Sequence, residues 1–351
     1  MTWLISIFSI LVIIAVAGLL FINLPQFGKA PSGERLERIK QSPNFRDGQF
    51  HNREITPQMT SSDKGFFESW WDFLFEKDPN LTPSSPLDMA KVDLTKLPSP
   101  SITWFGHSSY LLNLGGKRIL VDPVFGSASP VSFLFKPFKG TTRYQAEDMP
   151  PIDYLVITHD HYDHLEYSTI KALKGRVGKV ICPLGVGEHF EHWGYPADKL
   201  IELDWDESAA LSDGFKVNCH TGRHFSGRSL NRNNTLWASF LLETPDGIIF
   251  IGGDSGYGLH FKQIGETYNG AIDLAILENG QYNRDWRYIH TMPAQLDSAM
   301  RDLGARRNVT VHHSKYALSR HPWDEPLKNE RQLPPSESVM ILQLGQPALL
   351  R

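Results

Sequence analysis

Cysteine is scarce in this 351-residue chain, and basic residues are not in excess. The two cysteines, Cys182 and Cys219, each follow a run of residues typical of a β-strand. Two thiols are too few for a framework of several disulfides or for a thiolate metal cluster, so we expect both to be small buried side chains. The 35 basic and 39 acidic side chains give a formal net charge of −4. The chain therefore has no overall basic field, and we expect no nucleic acid partner.

Charged side chains are absent from the first 24 residues, MTWLISIFSILVIIAVAGLLFINL. Residues 3–24 are long enough to cross a hydrocarbon core of about 30 Å as a helix. We interpret residues 1–24 as an uncleaved transmembrane anchor. A cleaved signal peptide is the alternative, because residues 15–17 resemble a cleavage site, although no basic residue precedes the apolar run. Basic residues follow the run, which places the rest of the chain in the cytoplasm by the positive-inside rule; they are Lys29, Arg35, Arg38 and Lys40.

Apolar periodicity is sparse in residues 25–98, which are rich in Pro, Ser, Asn and Gly. This composition predicts a linker and extension rather than a second core. The aromatic stretch GFFESWWDFLFEK at 65–77 predicts a helix near 66–76. Such a helix either covers a hydrophobic flank of the main domain or lies at the membrane interface, where its lack of basic residues would be unusual.

Short apolar strands alternate with helical patterns in residues 99–351, and 41% of the whole chain is hydrophobic. This alternation predicts one layered α/β domain with its sheets covered by helices. Residues 101–123 predict two strands joined by a turn at Gly115 and Gly116. Residues 168–174 and 293–304 have helical patterns.

The densest polar motif is HDHYDH at 159–164, between the apolar run IDYLVI and a predicted helix. Imidazole and carboxylate groups are the ligands that zinc prefers. Four donors on one short loop are too many for a single tetrahedral ion. We therefore expect His159 and His161 to bind one ion, and Asp163 and His164 to bind a second.

Further donors follow later predicted strands, namely His224, Asp254 and the pair His312 and His313. Taken singly, a histidine or aspartate after a strand is ordinarily a surface or capping residue. Because the HDHYDH motif needs more ligands than it contains, we interpret these residues as the additional metal ligands. A carboxylate such as Asp254 has two oxygens and can bridge two ions about 3.5 to 4 Å apart.

These residues resemble a known family. His159 to His164 match the HxHxDH signature of the metallo-β-lactamase superfamily. Within it, the chain resembles the N-acylphosphatidylethanolamine-hydrolysing phospholipase D branch over about residues 99–330. The segments that carry this resemblance are WFGHSSYLL, LVDPVFGSASP, PPIDYLVITHDHYDHLEY, LIELDWDE, IIFIGGDSGY and VHHSKYALS.

The resemblance implies a four-layer αββα sandwich that holds two zinc ions at one edge of its sheets. It implies that one zinc is held by His159, His161 and His224, the other by Asp163, His164 and His312, with Asp254 bridging. It favours His312 over His313 as the ligand and leaves the role of His313 open. It also places His107 and Asp122 near the site, where we expect them to support the ligands.

The resemblance further implies phospholipase D-type hydrolysis of N-acylphosphatidylethanolamine or a related phospholipid to phosphatidic acid. The expected partners are therefore a phospholipid and the membrane, whereas the oligomeric state is left open. Asp163 would take or orient the proton of the attacking water, and His290 would contact the phosphate or protonate the leaving group. A capping or surface role ahead of Pro293 is the alternative for His290.

Two other functions remain open. One is a lactonase or another hydrolase of a phosphorylated small molecule with the same fold. The other is a non-catalytic module that binds a lipid or a protein.

Overall fold

The computed structural model describes residues 2–60 and 80–350, so the aromatic helix predicted near 66–76 lies outside the described residues. The α-helices of the described part are α1 (Thr2–Ile22), α2 (Gly33–Gln41), α3 (Tyr167–Leu173), α4 (Gly187–His192), α5 (Leu259–Tyr268), α6 (Leu296–Leu303) and α7 (Glu325–Gln332).

The strands of the same residues are short. In chain order they are β1 (Phe45–Arg46), β2 (Gln49–Phe50), β3 (Ser101–Trp104), β4 (Tyr110–Leu114), β5 (Lys117–Val121), β6 (Ile152–Val156), β7 (Val177–Pro183), β8 (Leu200–Leu203), β9 (Ser208–Ala210), β10 (Lys216–His220), β11 (Gly227–Arg228), β12 (Asn231–Arg232), β13 (Ser239–Thr244), β14 (Gly247–Ile251), β15 (Ile272–Glu278), β16 (Asn308–Val311) and β17 (Pro347–Leu349).

Two mixed sheets form the centre of the molecule. One has the strand order β17-β3-β4-β5-β6-β7-β8, and the other has the order β16-β15-β14-β13-β10-β9. Apolar side chains from the two inner faces, such as Val156 and Phe240, form the largest buried cluster. Buried residues of α3 and α4 pack on the outer face of the first sheet, and those of α5 and α6 pack on the second. The predicted αββα sandwich is confirmed.

The structure corrects the expected pair of strands in residues 101–123, where three strands occur. An additional turn separates β3 from β4, with Gly106 at φ 83° and His107 at φ 52°. A Cβ atom on Gly106 would lie 3.1 Å from Cβ of Lys315, so glycine also permits a close approach. Apolar periodicity did not reveal this turn, because its flanks are apolar on both sides. The turn brings His107 to the edge of the sheet.

Helix α1 is exposed along its whole length, and by length and composition its residues Trp3–Ile22 could cross a membrane. The residues that follow α1 pack against the rest of the chain. Phe27, Ile39 and Phe50 are buried. Both cysteines are buried and unpaired, as predicted.

Candidate metal centre

Residues at the ends of several strands meet at one edge of the two sheets. The HDHYDH loop follows β6, His224 follows β10, Asp254 follows β14 and His312 follows β16. Strands β5 and β6 are parallel, as are β14, β15 and β16, so their carboxyl ends point to the same edge. The structure thus brings together all seven side chains that were predicted as metal ligands.

Three imidazoles form the first group of candidate ligands. Nδ1 of His161 lies 2.9 Å from Nε2 of His159 and 3.2 Å from Nε2 of His224. His224 donates its Nδ1 hydrogen to the carbonyl of Ile289 at 2.7 Å, which leaves the lone pair on Nε2 free. Three neutral nitrogens that converge in this way suit a zinc ion.

The second group surrounds Asp254. Its Oδ1 atom lies 3.2 Å from Nε2 of His164 and 3.3 Å from Nδ1 of His312. Asp163 Oδ2 lies 3.6 Å from the same His164 nitrogen. The other oxygen of Asp254, Oδ2, faces the first group, at 3.9 Å from His159 and 3.8 Å from His224. Asp254 therefore stands between the two groups with one oxygen toward each.

Two buried polar atoms of the second group indicate that a metal ion would fit there. Nε2 of His164 and Oδ1 of Asp254 are both buried. They lie 3.2 Å apart, yet neither forms a hydrogen bond with the other or with any other described residue. Buried polar atoms without a partner are rare because their desolvation is not compensated. A cation bound by both atoms would satisfy them. The mixture of imidazole and carboxylate donors fits zinc.

Burial and charge prepare these groups for a cation. Burial holds the pKa of His159, His224 and His312 well below the ordinary value, so these imidazoles are neutral. Burial opposes ionisation of Asp254, but the charge of His164 outweighs it and keeps the pKa of this carboxyl well below its usual range. Burial also opposes the charge on His164, but Asp254, Asp163 and Asp122 raise the pKa of this imidazole well above its ordinary value, so it holds a proton that a metal ion would displace. The neutral imidazoles and the ionised carboxylate are the protonation states that metal binding requires.

Two residues outside the ligand set orient it. His164 donates its Nδ1 hydrogen to Asp122 at 2.8 Å, and His107 donates from Nε2 to Asp163 at 2.9 Å. His107, Asp122 and His312 all have positive φ, at 52°, 40° and 71°. Positive φ is uncommon for residues other than glycine, and here three such residues meet at one site. These contacts agree with the supporting role expected of His107 and Asp122.

Glu278 was missed by the sequence analysis. It ends β15, accepts the Nδ1 hydrogen of His290 at 2.7 Å and accepts the backbone N–H of Thr291 at 2.6 Å. Burial raises the pKa of Glu278 to about 7, against the opposing effect of His290. The signal that could have found it is an acidic residue at the end of the apolar strand IDLAIL, at the same edge as Asp254.

His290 is buried, so a surface role for this residue is wrong. Its ring centroid lies 5.1 Å from that of His224 and 5.6 Å from that of His312. His313 points elsewhere, since its Nε2 lies 3.3 Å from Glu330. The structure places His312, and not His313, beside Asp254.

Comparisons with known proteins agree with this geometry. The Beta-lactamase superfamily domain family matches residues 117–313. An uncharacterised protein of Mycobacterium tuberculosis is 38% identical over 296 residues, which are 82% of this chain and 79% of that protein. The mitochondrial N-acyl-phosphatidylethanolamine-hydrolyzing phospholipase D of Saccharomyces cerevisiae is 30% identical over 284 residues, 74% of this chain and 59% of that protein. A metallo hydrolase from the archaeon Ignicoccus hospitalis has a similar fold, with a TM-score of 0.52, 18% identity and coverage of 71% of this chain and 97% of its own.

Proposed function

Because the chain belongs to the metallo-β-lactamase superfamily of metal-dependent hydrolases, we propose that it is a membrane-anchored di-zinc phosphodiesterase. Its substrate is N-acylphosphatidylethanolamine or a related phospholipid, which it hydrolyses to phosphatidic acid. Helix α1 anchors it, and the catalytic domain lies on the cytoplasmic side of the membrane.

The position of Asp254 carries the proposal of two metals. Each of its oxygens faces a separate group of ligand atoms, as a bridging carboxylate does. In this proposal the first zinc is held by His159, His161 and His224, and the second by Asp163, His164 and His312.

When bound, two zinc ions would lower the pKa of water at the site and stabilise charge on the phosphate oxygens. In this proposal, side chains of the protein position the attacking water and the proton donor for the leaving group. Asp163 is fixed by the hydrogen bond from His107 and orients the attacking water. His290 is fixed by Glu278 and places a proton donor where the leaving oxygen departs.

The choice of a phospholipid is supported by two observations. The yeast relative, 30% identical, is named for hydrolysis of N-acyl-phosphatidylethanolamine. The exposed apolar helix α1 would confine the enzyme to the surface where such a lipid is found.

The proposal is tested with the purified full chain, loaded with zinc, in mixed micelles. Elemental analysis should give about two zinc ions per chain, and N-acylphosphatidylethanolamine should yield phosphatidic acid. Asp254→Asn should lower the zinc content and reduce turnover by at least about a hundredfold, because the bridging charge is lost. Asp198→Asn changes an exposed carboxylate and is the matched control.

Two outcomes would contradict the proposed activity. If the zinc-loaded protein opens a phosphorylated lactone but cleaves no phospholipid, it is a lactonase. If it cleaves neither compound and Asp254→Asn still binds lipid as the unmodified chain does, it is a non-catalytic module.

A further inference from the structure

The segment that follows α1 is fastened to the catalytic domain. Buried side chains of the domain bond to the backbone of residues 25–29. The contacts are Trp193 Nε1 donating to the Pro25 carbonyl at 2.8 Å, Arg228 donating to the Gln26 carbonyl at 2.7 Å, and the Lys29 N–H donating to His189 Nδ1 at 3.0 Å. His189 in turn donates from Nε2 to Asp160 at 3.3 Å, within the HDHYDH loop. The bonded segment therefore begins only three residues after α1, so no long free tether separates the helix from the domain.

Two exposed apolar groups lie beside this fastened segment. Phe133, Leu134 and Phe135 are 70%, 44% and 39% exposed, and Leu230 is 82% exposed. We call these four side chains the apolar rim.

Both parts of the apolar rim are near in sequence to residues that bond to Gln26 or share a cavity with it. The neighbours of the first part, Ser132 and Lys136, line a cavity of about 610 Å³ together with Gln26. Leu230 lies in the turn of the β11–β12 hairpin, whose Arg228 reaches the Gln26 carbonyl. The rim therefore flanks the point at which the chain leaves α1.

Hydrogen bonds within residues 127–135 close the loop that carries Phe133, Leu134 and Phe135. The Ala128 N–H donates to the Phe135 carbonyl at 3.2 Å, and the Leu134 N–H donates to the Val131 carbonyl at 2.9 Å. The Ser127 hydroxyl donates to the Leu134 carbonyl. Phe135 has φ of 45°, a conformation unusual for a bulky side chain. A closed loop that presents consecutive apolar side chains to the outside indicates a surface that meets an apolar partner.

We propose that the apolar rim docks on the same bilayer that α1 crosses, as a second contact between the domain and the membrane. Aromatic and leucine side chains partition into the interface between headgroups and acyl chains, and Lys136 beside them suits anionic headgroups. Docking would also bring the cavity to the bilayer surface. That cavity is lined by Tyr162, the residue between His161 and Asp163. The inference rests on the proposed anchoring by α1, and the experiment separates the two.

The experiment uses single labelled cysteines in the full chain, reconstituted into vesicles of phosphatidylcholine and phosphatidylglycerol. Cys182 and Cys219 are buried, so an introduced surface cysteine takes up an environment-sensitive fluorophore selectively. Leu134→Cys and Leu230→Cys report on the rim, and Phe8→Cys reports on α1.

Ile341→Cys is the matched control. Ile341 is 51% exposed and follows Met340, whose N–H bonds to Asn308 at the start of β16. It therefore lies at the opposite end of that strand from His312 and away from the fastened segment.

Labels at 134 and 230 should lose most of their emission to lipids that carry a spin label near the headgroup, and should be shielded from iodide in the water. The label at 341 should behave in the opposite way. Iodide quenching at 134 and 230 equal to that at 341 would overturn the inference. Protection from both quenchers would also overturn it, because residues 61–79 or a second copy of the chain would then cover the rim.

The label at residue 8 separates the two proposals. If spin-labelled lipid quenches the label at residue 8 but not the labels at 134 and 230, docking of the apolar rim is refuted and the anchor is retained. The absence of lipid quenching at 8 refutes the anchor, and the rim inference falls with it.

Discussion

Asp122 is not one of the candidate metal ligands, but it holds one of them, His164, in place. It accepts hydrogen bonds from Nδ1 of His164 at 2.8 Å and from the backbone and hydroxyl of Thr158 at 2.9 and 2.7 Å. These bonds fix the direction of the His164 ring and engage its Nδ1 hydrogen. Nε2 of His164, the atom that would bind a metal, thereby faces Asp254 at 3.2 Å.

Asp122→Ala should therefore weaken zinc binding by about 10- to 100-fold, because His164 loses the bond that orients it. Competition with a chelator of known affinity measures the effect, and a second measurement of the circular dichroism spectrum checks that the chain is folded. Asp198→Ala, at an exposed position, is the control. Equal zinc affinity in the folded Asp122 variant would show that this bond does not orient the ligand.

Lys315 is a buried lysine that contacts no carboxylate in the described part of the chain. Its Nζ donates to the carbonyls of Val124 at 2.7 Å and Phe105 at 3.1 Å, and it lies 5.3 Å from the ring centroid of Phe125. Burial lowers the pKa of Lys315 to about 7. The unfolded chain would keep this proton up to about pH 10.4.

Stability should therefore rise with pH between about 7 and 10, at up to about 1.4 kcal/mol per pH unit, because the unfolded state holds more protons in this window. Below pH 7 the lysine is charged in both states, and the cost of burying that charge is fully present. Lys315→Met should remove this slope, whereas Lys328→Met, an exposed lysine on α7, is the control. Urea unfolding in detergent, followed by tryptophan fluorescence at pH 7 and pH 9, makes the comparison. Parallel pH dependences for the Lys315 variant and the unmodified chain would contradict the expectation.

At the scale of elements, α2 connects the segment behind α1 to the first sheet. Its Arg35 side chain is 13% exposed and bonds to Glu188 at 2.9 Å, Glu191 at 2.5 Å and Glu202 at 2.7 Å. Glu202 also accepts the backbone N–H groups of Gly185 and Gly187 at the start of α4. Arg35 thus pairs with several partly buried carboxylates, one of which also fixes the backbone at the start of α4.

Arg35→Ala should lower the free energy of unfolding by about 3 kcal/mol, because Glu202 stays buried without its compensating charge. Glu188 loses one of two cations and keeps Lys29 at 2.7 Å. Lys40→Ala lies on the same helix and removes an exposed pair with Glu37, so its effect should stay within about 0.5 kcal/mol. Thermal unfolding in the same detergent compares the two variants. Equal losses would mean that the pairs around Arg35 are no stronger than a surface pair.

At the scale of the whole molecule, α1 and the sandwich are separate in packing. No part of the apolar window of α1 is buried against the domain, whereas residues 25–50 pack into it. Helix α1 and the sandwich should therefore depend on different interactions. The sandwich depends on its two-sheet core, whereas α1, as the proposed anchor, would depend on the bilayer.

Deletion of residues 2–20 should leave the melting temperature of the domain unchanged within about 2 °C, because no core contact is removed. The same deletion should weaken membrane attachment, which flotation of vesicles with bound protein measures. Deletion of residues 25–50 is the contrasting variant and should destabilise the fold, since it removes Ile39 and Phe50 from the core. A large drop in melting temperature for the first deletion would show that α1 supports the fold.

The local sequence was sufficient to predict the layered architecture. It did not predict one turn between strands or the long-range contacts of the segment that follows α1. Alternating strands and helices predicted a layered α/β domain, the resemblance to the metallo-β-lactamase superfamily implied the αββα sandwich, and an uncharged run predicted the long apolar helix. The turn at Gly106 and His107 was not predicted, because the residues on both sides continue an apolar pattern. The bonds of residues 25–35 to the domain were not predicted either, since they join positions more than 150 residues apart.

The sequence by itself determined which ligand types are present and in what order. HDHYDH already contains more donors than one ion can use, and a histidine or aspartate follows three of the later strands, β10, β14 and β16. Only the tertiary structure decided which atoms meet. It placed His312 rather than His313 beside Asp254, and it added Glu278 behind His290. The reason is physical: periodicity reports the face of one strand, whereas the pairing of β5 with β6 and of β14 with β15 and β16 sets the distances between strand ends.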